Sequence, residues 1–109
     1  KPFEYCMGLL DTFYTEMEAH SDMIGIVRSY RDIEDNWRKG RMSALLTIEE
    51  GGVCQGSLRF LRDFYRLGVR MMTLTWNFPN ELGFPNKRER REDGTTYLVP
   101  MAEWCIKRS

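Results

Sequence analysis

From Phe3 onward the apolar side chains fall at Phe3, Cys6, Met7, Leu10, Phe13, Tyr14 and Met17. Steps of three and four put them on one face of a helix about five turns long. Glu4, Asp11, Glu16 and Glu18 fall between them as the solvated side. Pro2 suits the first helical turn, where the amide it lacks would have no partner. A one-sided helix packs on something, so the pattern predicts a larger body behind it. Residues 22–27, apolar at Met23, Ile24, Ile26 and Val27, read as a brief strand or a bend. A second helix is expected from Tyr30 or Arg31 to Lys39, with Ser29 or Asp32 as its cap and Gly40 as its stop. Its apolar content is chiefly Ile33 and Trp37, at i and i+4, which marks a surface helix on which Trp37 serves packing.

The best-defined unit begins at Ser43. Residues 43–48 are apolar on both faces of a strand, the pattern of a buried parallel strand. Glu49, Glu50, Gly51 and Gly52 follow as a polar turn, and helix signals resume near Gln55 or Ser57. Leu58, Leu61 and Tyr65 form one stripe of that helix, with Phe60, Phe64 and Leu67 beside it, and Gly68 ends it. Residues 69–75 read as a second strand. Strand, helix and strand in this span make a βαβ crossover, so the fold class is α/β. Two strands do not form a stable sheet alone, so the unit requires neighbours. Beyond Thr75 the chain turns loop-like at Asn77, Pro79, Asn80, Gly83, Pro85 and Asn86, with one short strand expected over 95–99.

Composition narrows the picture. The 109 residues are 42% hydrophobic, 13% aromatic and 29% charged, with 16 basic and 16 acidic side chains. That is ordinary globular protein, and zero net charge gives no electrostatic case for nucleic acid or an acidic membrane surface. No apolar run approaches the ~20 residues of a membrane helix, and no secretory leader pattern occurs in this piece. Cys6, Cys54 and Cys105 are odd in number and form no CxxC or CxxH pair. They read as free thiols in a reducing, cytoplasmic setting rather than a disulfide framework or a cysteine zinc site. The chain opens at Lys1 inside a helical pattern, so a piece of a longer protein is expected.

Parallel α/β architectures place their chemistry at the carboxyl ends of strands. That rule selects Glu49 and Glu50 after the first strand, and Trp76 and Asn77 after the second. Adjacent carboxylates point to opposite sides, so one at most faces a barrel or crevice. A metal ligand or general base competes here with a solvated turn. Gly51 and Gly52 permit a sharp turn and a close approach of the backbone to a bound group. Neither GxGxxG nor GxxxxGK[ST] is present, which argues against a nucleotide phosphate there. His20 is the single histidine and sits at a helix end, so no metal pair or Ser-His-Asp set can be built on it. Lys87, Arg88, Arg90 and Arg91 form the one basic cluster; Glu89, Glu92 and Asp93 offset it, and it reads as a solvated loop.

Residues 43–52, ending Glu49-Glu50-Gly51-Gly52, together with Leu67-Gly68-Val69-Arg70 and the following run to Asn77, resemble the membrane dipeptidase (renal dipeptidase-like) family of zinc peptidases. The loop Trp76-Asn77-Phe78-Pro79-Asn80-Glu81-Leu82-Gly83 is similar to that of bacterial-type members. The resemblance implies a (β/α)8 TIM barrel, of which this chain is an internal fragment: a βαβ unit plus the preceding helices, roughly three-eighths of the whole. It implies a centre of two zinc ions that hydrolyses dipeptides, with Glu50 as the bridging metal ligand and Glu49 facing away. The family's His-x-Asp motif belongs upstream of Lys1 and its later zinc histidines downstream. The position of a substrate-binding histidine falls at Trp76, so Trp76 or Asn77 is expected to line the pocket, and no catalytic residue is assigned. With one carboxylate, this piece alone is expected to hold no stoichiometric zinc and to be inactive. The division expected is 1–86 for the barrel segment and 87–109 for a loop-rich tail, whose end from Met101 to Ser109 suggests a frameshift or premature stop. The competing reading is a noncatalytic α/β interaction module that docks on a partner or forms a homo-oligomer through its exposed apolar faces.

Overall fold

The computed structural model describes residues 1–85 and 88–98. Its elements run α1 (Pro2–Ala19), β1 (Ile24–Val27), α2 (Tyr30–Arg38), β2 (Met42–Leu45), β3 (Thr47–Ile48), a 3-10 turn (Gly51–Cys54), α3 (Leu58–Arg66), β4 (Met71–Met72), β5 (Arg88–Arg90) and β6 (Thr96–Leu98). The strands pair as β1 with β2, β3 with β4 and β5 with β6, and no closed barrel forms among the described residues. No helix among them is long and apolar enough to cross a membrane. The chain divides into two units, Lys1–Thr47 with Arg59–Met71, and Ile48–Leu58 with Met72–Ser109.

In the first unit α1 buries the stripe its spacing predicts. Leu10 is buried, Phe3, Cys6, Met7, Phe13, Tyr14 and Met17 are half-buried, and the four acidic residues between them are exposed. Phe3 stacks on Phe60 with ring centroids 4.4 Å apart and lies 5.7 Å from Phe64. Of the two stripes on α3, the one holding Phe60, Phe64 and Leu67 turns inward, while Leu58, Leu61 and Tyr65 stay exposed. Phe64 and Val27 are the largest fully buried side chains, each stabilising by about 1.5–3 kcal/mol relative to exposure. Burial of Cys6 pushes its thiol up from the ordinary value.

The segment read as a strand or a bend is a strand. β1 runs parallel to β2 in the register Ile24–Met42 to Val27–Leu45, so β1, α2 and β2 make a crossover that the pattern alone left open. The reason for α2 starting at Tyr30 is its cap. Ser29 Oγ accepts from the Asp32 N–H, and Asp32 Oδ2 accepts from the Arg28 and Ser29 N–H groups at 2.8 and 3.1 Å. These bonds, that from Arg28 foremost, hold the Asp32 carboxyl below its ordinary 3.8. Asn36, 2% exposed, fastens the crossover: its Nδ2 donates to Gly25 O at 3.2 Å and Ser43 Oγ at 3.1 Å, and its Oδ1 accepts from Arg41 at 2.8 Å. α3 ends where expected, with Gly68 at φ +102° and the Val69 N–H donating to Phe64 O. Arg70 then ties the joint, donating to the carbonyls of Arg28, Tyr65 and Val69.

Three expectations are corrected. Trp37 is 84% exposed rather than packed, because α2 turns Asn36 inward instead. Residues 43–48 are not buried on both faces: Leu45 is exposed and only Ile48 is buried. α1 and α2 touch β1, and α2 also touches β2, but a parallel strand hides both faces only when both are covered. The basic cluster is not all loop, since Arg88–Arg90 pairs antiparallel with Thr96–Leu98 in a hairpin. Its turn is held by Asp93, whose Oδ1 accepts from the Thr95 hydroxyl and N–H and whose carboxyl is lowered by those bonds, the hydroxyl's first. Trp104, Cys105 and the 101–109 tail lie outside the described residues.

Candidate functional site

The second unit builds its site at the end of β3. The Thr73 N–H donates to Ile48 O and the Gly51 N–H to Thr73 O, both at 2.9 Å, so Thr73 bridges residues three apart where a regular parallel ladder would bridge residues two apart. The ladder stops at Glu50, whose extended backbone caps the 3-10 turn and whose Oε1 accepts from the Gly52 N–H at 3.1 Å. Glu49 is exposed and Glu50 half-buried, so the two carboxylates face different surroundings, as alternation requires.

The glycines are explained by what surrounds them. A Cβ on Gly51 would lie 2.4 Å from Leu82 Cδ1 and 3.1 Å from the Leu74 carbonyl oxygen. On Gly52 it would lie 2.6 Å from Glu50 Oε2 and 3.0 Å from Oε1. The close approach that two glycines permit is therefore spent on the protein itself, above all on the Glu50 carboxylate. Their N–H groups are used internally as well, by Thr73 O and Glu50 Oε1, which removes the donors a phosphate would need. The turn ends in Gln55 and Gly56, both left-handed (φ 54° and 68°), and α3 starts only after them, at Leu58. That break is why the helix does not begin at Gln55 and starts instead directly after Ser57, the second of the two expected positions.

Asn80 is the residue that sequence reasoning missed. Its Nδ2 donates to Glu50 Oε1 and to Leu74 O, the latter at 2.8 Å, while its Oδ1 accepts from the N–H groups of Leu82 at 2.8 Å and Gly83 at 3.1 Å. The signal available was an Asn ahead of Glu-Leu-Gly, a sequence suited to a side chain that hydrogen-bonds its own backbone two residues on. Trp76 and Asn77, the other strand-end candidates, are exposed and are not among the partners of Glu50. His20 sits exposed at the end of α1, 3.6 Å from the Glu16 carboxylate, and takes no part in this unit.

As a metal donor, Glu50 offers one carboxylate with Oε1 tied to the protein and Oε2 without a hydrogen-bond donor among the described residues. No group of three or more His, Cys, Asp or Glu side chains converges among those residues. Glu50 thus fits as one ligand, and among the described residues no further His, Cys, Asp or Glu side chains gather beside it as a group of three.

Fold and site define an α/β chain with a carboxylate at the carboxyl end of a strand, the place where such proteins bind their ligands. The chain belongs to the membrane dipeptidase family (peptidase family M19), whose sequence pattern matches residues 3–99. It is 34% identical over 74 residues to dipeptidase verJ of Clonostachys rogersoniana, a stretch covering 68% of this chain and 19% of that protein. Its fold is similar to that of an amidohydrolase from Pseudomonas aeruginosa, with a TM-score of 0.74 at 20% identity, over 77% of this chain and 26% of that one. The chain therefore spans about a fifth of the curated relative.

Proposed function

We propose that this chain is a segment of a metal-dependent hydrolase of dipeptides, and that in the whole protein it forms part of a (β/α)8 barrel. Glu50 is read as one ligand of a centre of two zinc ions, with its remaining ligands outside this chain, and Trp76 or Asn77 as part of the pocket wall. The observation that carries the reading is the Glu50 carboxylate, fixed at a parallel strand's carboxyl end by Gly52 and Asn80 in a chain of this family. Bound there, the metal would supply polarisation of a carbonyl and a lowered pKa for water. The chain's own share is to hold one carboxylate oxygen in place, the other having no donor among the described residues.

The test is Glu50→Gln in the gene product that includes the flanking sequence. Dipeptide hydrolysis is expected to fall by at least about a hundredfold, the scale of losing a main transition-state stabiliser. Unchanged kcat/KM would overturn the role of Glu50. The 109-residue chain alone is expected to show neither hydrolysis nor stoichiometric zinc, and metal analysis finding two tightly held ions per chain would overturn that.

A noncatalytic interaction module is favoured by one observation, the exposed row Tyr30, Ile33 and Trp37 along α2. The flanking DNA separates the readings. A His-x-Asp codon pattern upstream and histidine codons downstream in the same frame support the enzyme, and a start codon at the beginning of α1 supports the module.

A further inference from the structure

We infer that Asn80 is a positioning residue for Glu50: its side-chain amide determines which carboxylate oxygen is tied to the protein and which is left to a ligand. The inference rests on the reading of Glu50 as a functional carboxylate. Asn80 stands 30 residues from Glu50 in the chain and uses all of its side-chain polarity at once. On one side Oδ1 accepts from two backbone N–H groups, Leu82 and Gly83; on the other Nδ2 donates to two acceptors, Leu74 O and Glu50 Oε1. A flipped amide would set donors against donors and acceptors against acceptors, so the four contacts fix its orientation. With Gly52 N–H also on Oε1, both donors converge on one oxygen, and Oε2 has none among the described residues.

The two sides of Asn80 have separate tasks. Oδ1 shapes the turn at 80–83, and Nδ2 holds the carboxylate. Asn80→Asp separates them, because it keeps an acceptor for Leu82 and Gly83 and replaces the donor facing Glu50 with an oxygen. In the gene product that includes the flanking sequence, hydrogen exchange at the Gly52 amide is expected to rise about tenfold or more in Asn80→Asp, the loss of a charge-assisted bond. Exchange at Leu82 and Gly83 is expected to stay close to wild type. Adding Glu50→Gln removes the repulsion between two facing carboxylates while its amide oxygen still accepts from Gly52, so the urea midpoint lost through Asn80→Asp is expected to be smaller in the Glu50→Gln background. A loss of equal size in both backgrounds overturns the inference, as does deprotection of Leu82 and Gly83 together with Gly52.

Glu50→Ala keeps the test open should Asn80→Asp fail to fold. With the acceptor gone, the Asn80 side-chain amide protons are expected to shift towards free-amide positions in the NMR spectrum, and unmoved resonances overturn the inference. These readouts need no activity. Absence of coupling removes the role of Asn80 even where Glu50→Gln abolishes hydrolysis by the longer gene product. Coupling beside unimpaired hydrolysis upholds the hold on the carboxylate and overturns the reading of Glu50 instead.

Discussion

Asp32 and Glu50 are two carboxylates that follow parallel strands, and they are used differently. Asp32 lies just past β1 and accepts two adjacent backbone N–H groups while its own N–H is met by Ser29. Everything it holds lies within four residues. Glu50 ends β3 and accepts one local N–H, its second donor arriving from a side chain 30 residues away. The first is a helix cap complete in its own turn. The second is a carboxylate steadied from a distance, with an oxygen to spare. What distinguishes a structural acid from a presented one here is how many of its donors come from its own turn, since burial separates them little: both are half-buried.

Three changes press on that contrast. Gly51→Ala is expected to have the largest effect, because the added methyl meets both Leu82 and a backbone carbonyl; overpacking of this kind costs about 1–3 kcal/mol. Urea denaturation would measure it, and a loss under about 0.5 kcal/mol, the ordinary spread of neutral surface changes, would show the Glu50 turn to be looser than described. Ser29→Ala removes the capping hydroxyl of α2 and is expected to cost about 1 kcal/mol in the same assay. A much larger loss would mean that the Asp32 side is not self-contained.

The finest test is pH. Asp32 is held below 3.8 in the folded chain, so protonation is harder folded than unfolded. Its contribution is therefore complete above about pH 3.8 and is lost as pH falls through the lower folded value. Asp32→Asn is expected to lower the urea midpoint at neutral pH, with the gap to wild type closing on acidification below that point. A gap that stays constant with pH would show that the charge of Asp32 contributes nothing to the cap.

Much of the fold was legible because it rests on short-range rules. Steps of three and four along α1 named each half-buried residue of its inner face, and Gly68 marked the end of α3. Strand patterns served less well. The apolar residues of 43–48 and 69–75 announce surfaces to be covered, but β4 pairs only over Met71–Met72 and Leu45 and Met71 stay exposed, since cover is a property of neighbours and not of the strand. At the end of β3, the different surroundings of Glu49 and Glu50 were legible from alternation, and the sharp turn from the two glycines that follow. Asn80 was not, because its meaning comes from three segments meeting: 50–52, 74 and 82–83. In the sequence it is one polar residue of a loop that already contains two prolines.

Asn36 has a consequence for the order of assembly. Its bonds to Gly25 and Ser43 close loops of 11 and 7 residues, whereas the hydroxyl of Tyr14 reaches the Leu67 carbonyl across 53. Loop-closure entropy grows as (3/2)RT ln n, which makes the Tyr14 contact about 2 kcal/mol costlier to close than the shorter of the Asn36 loops. A nascent chain thus meets the partners of Asn36 as soon as Ser43 has been made, some two dozen residues before Leu67. One buried amide gives β1, α2 and β2 the means to organise before α3, whose Phe60 stacks on Phe3 of α1, has been made.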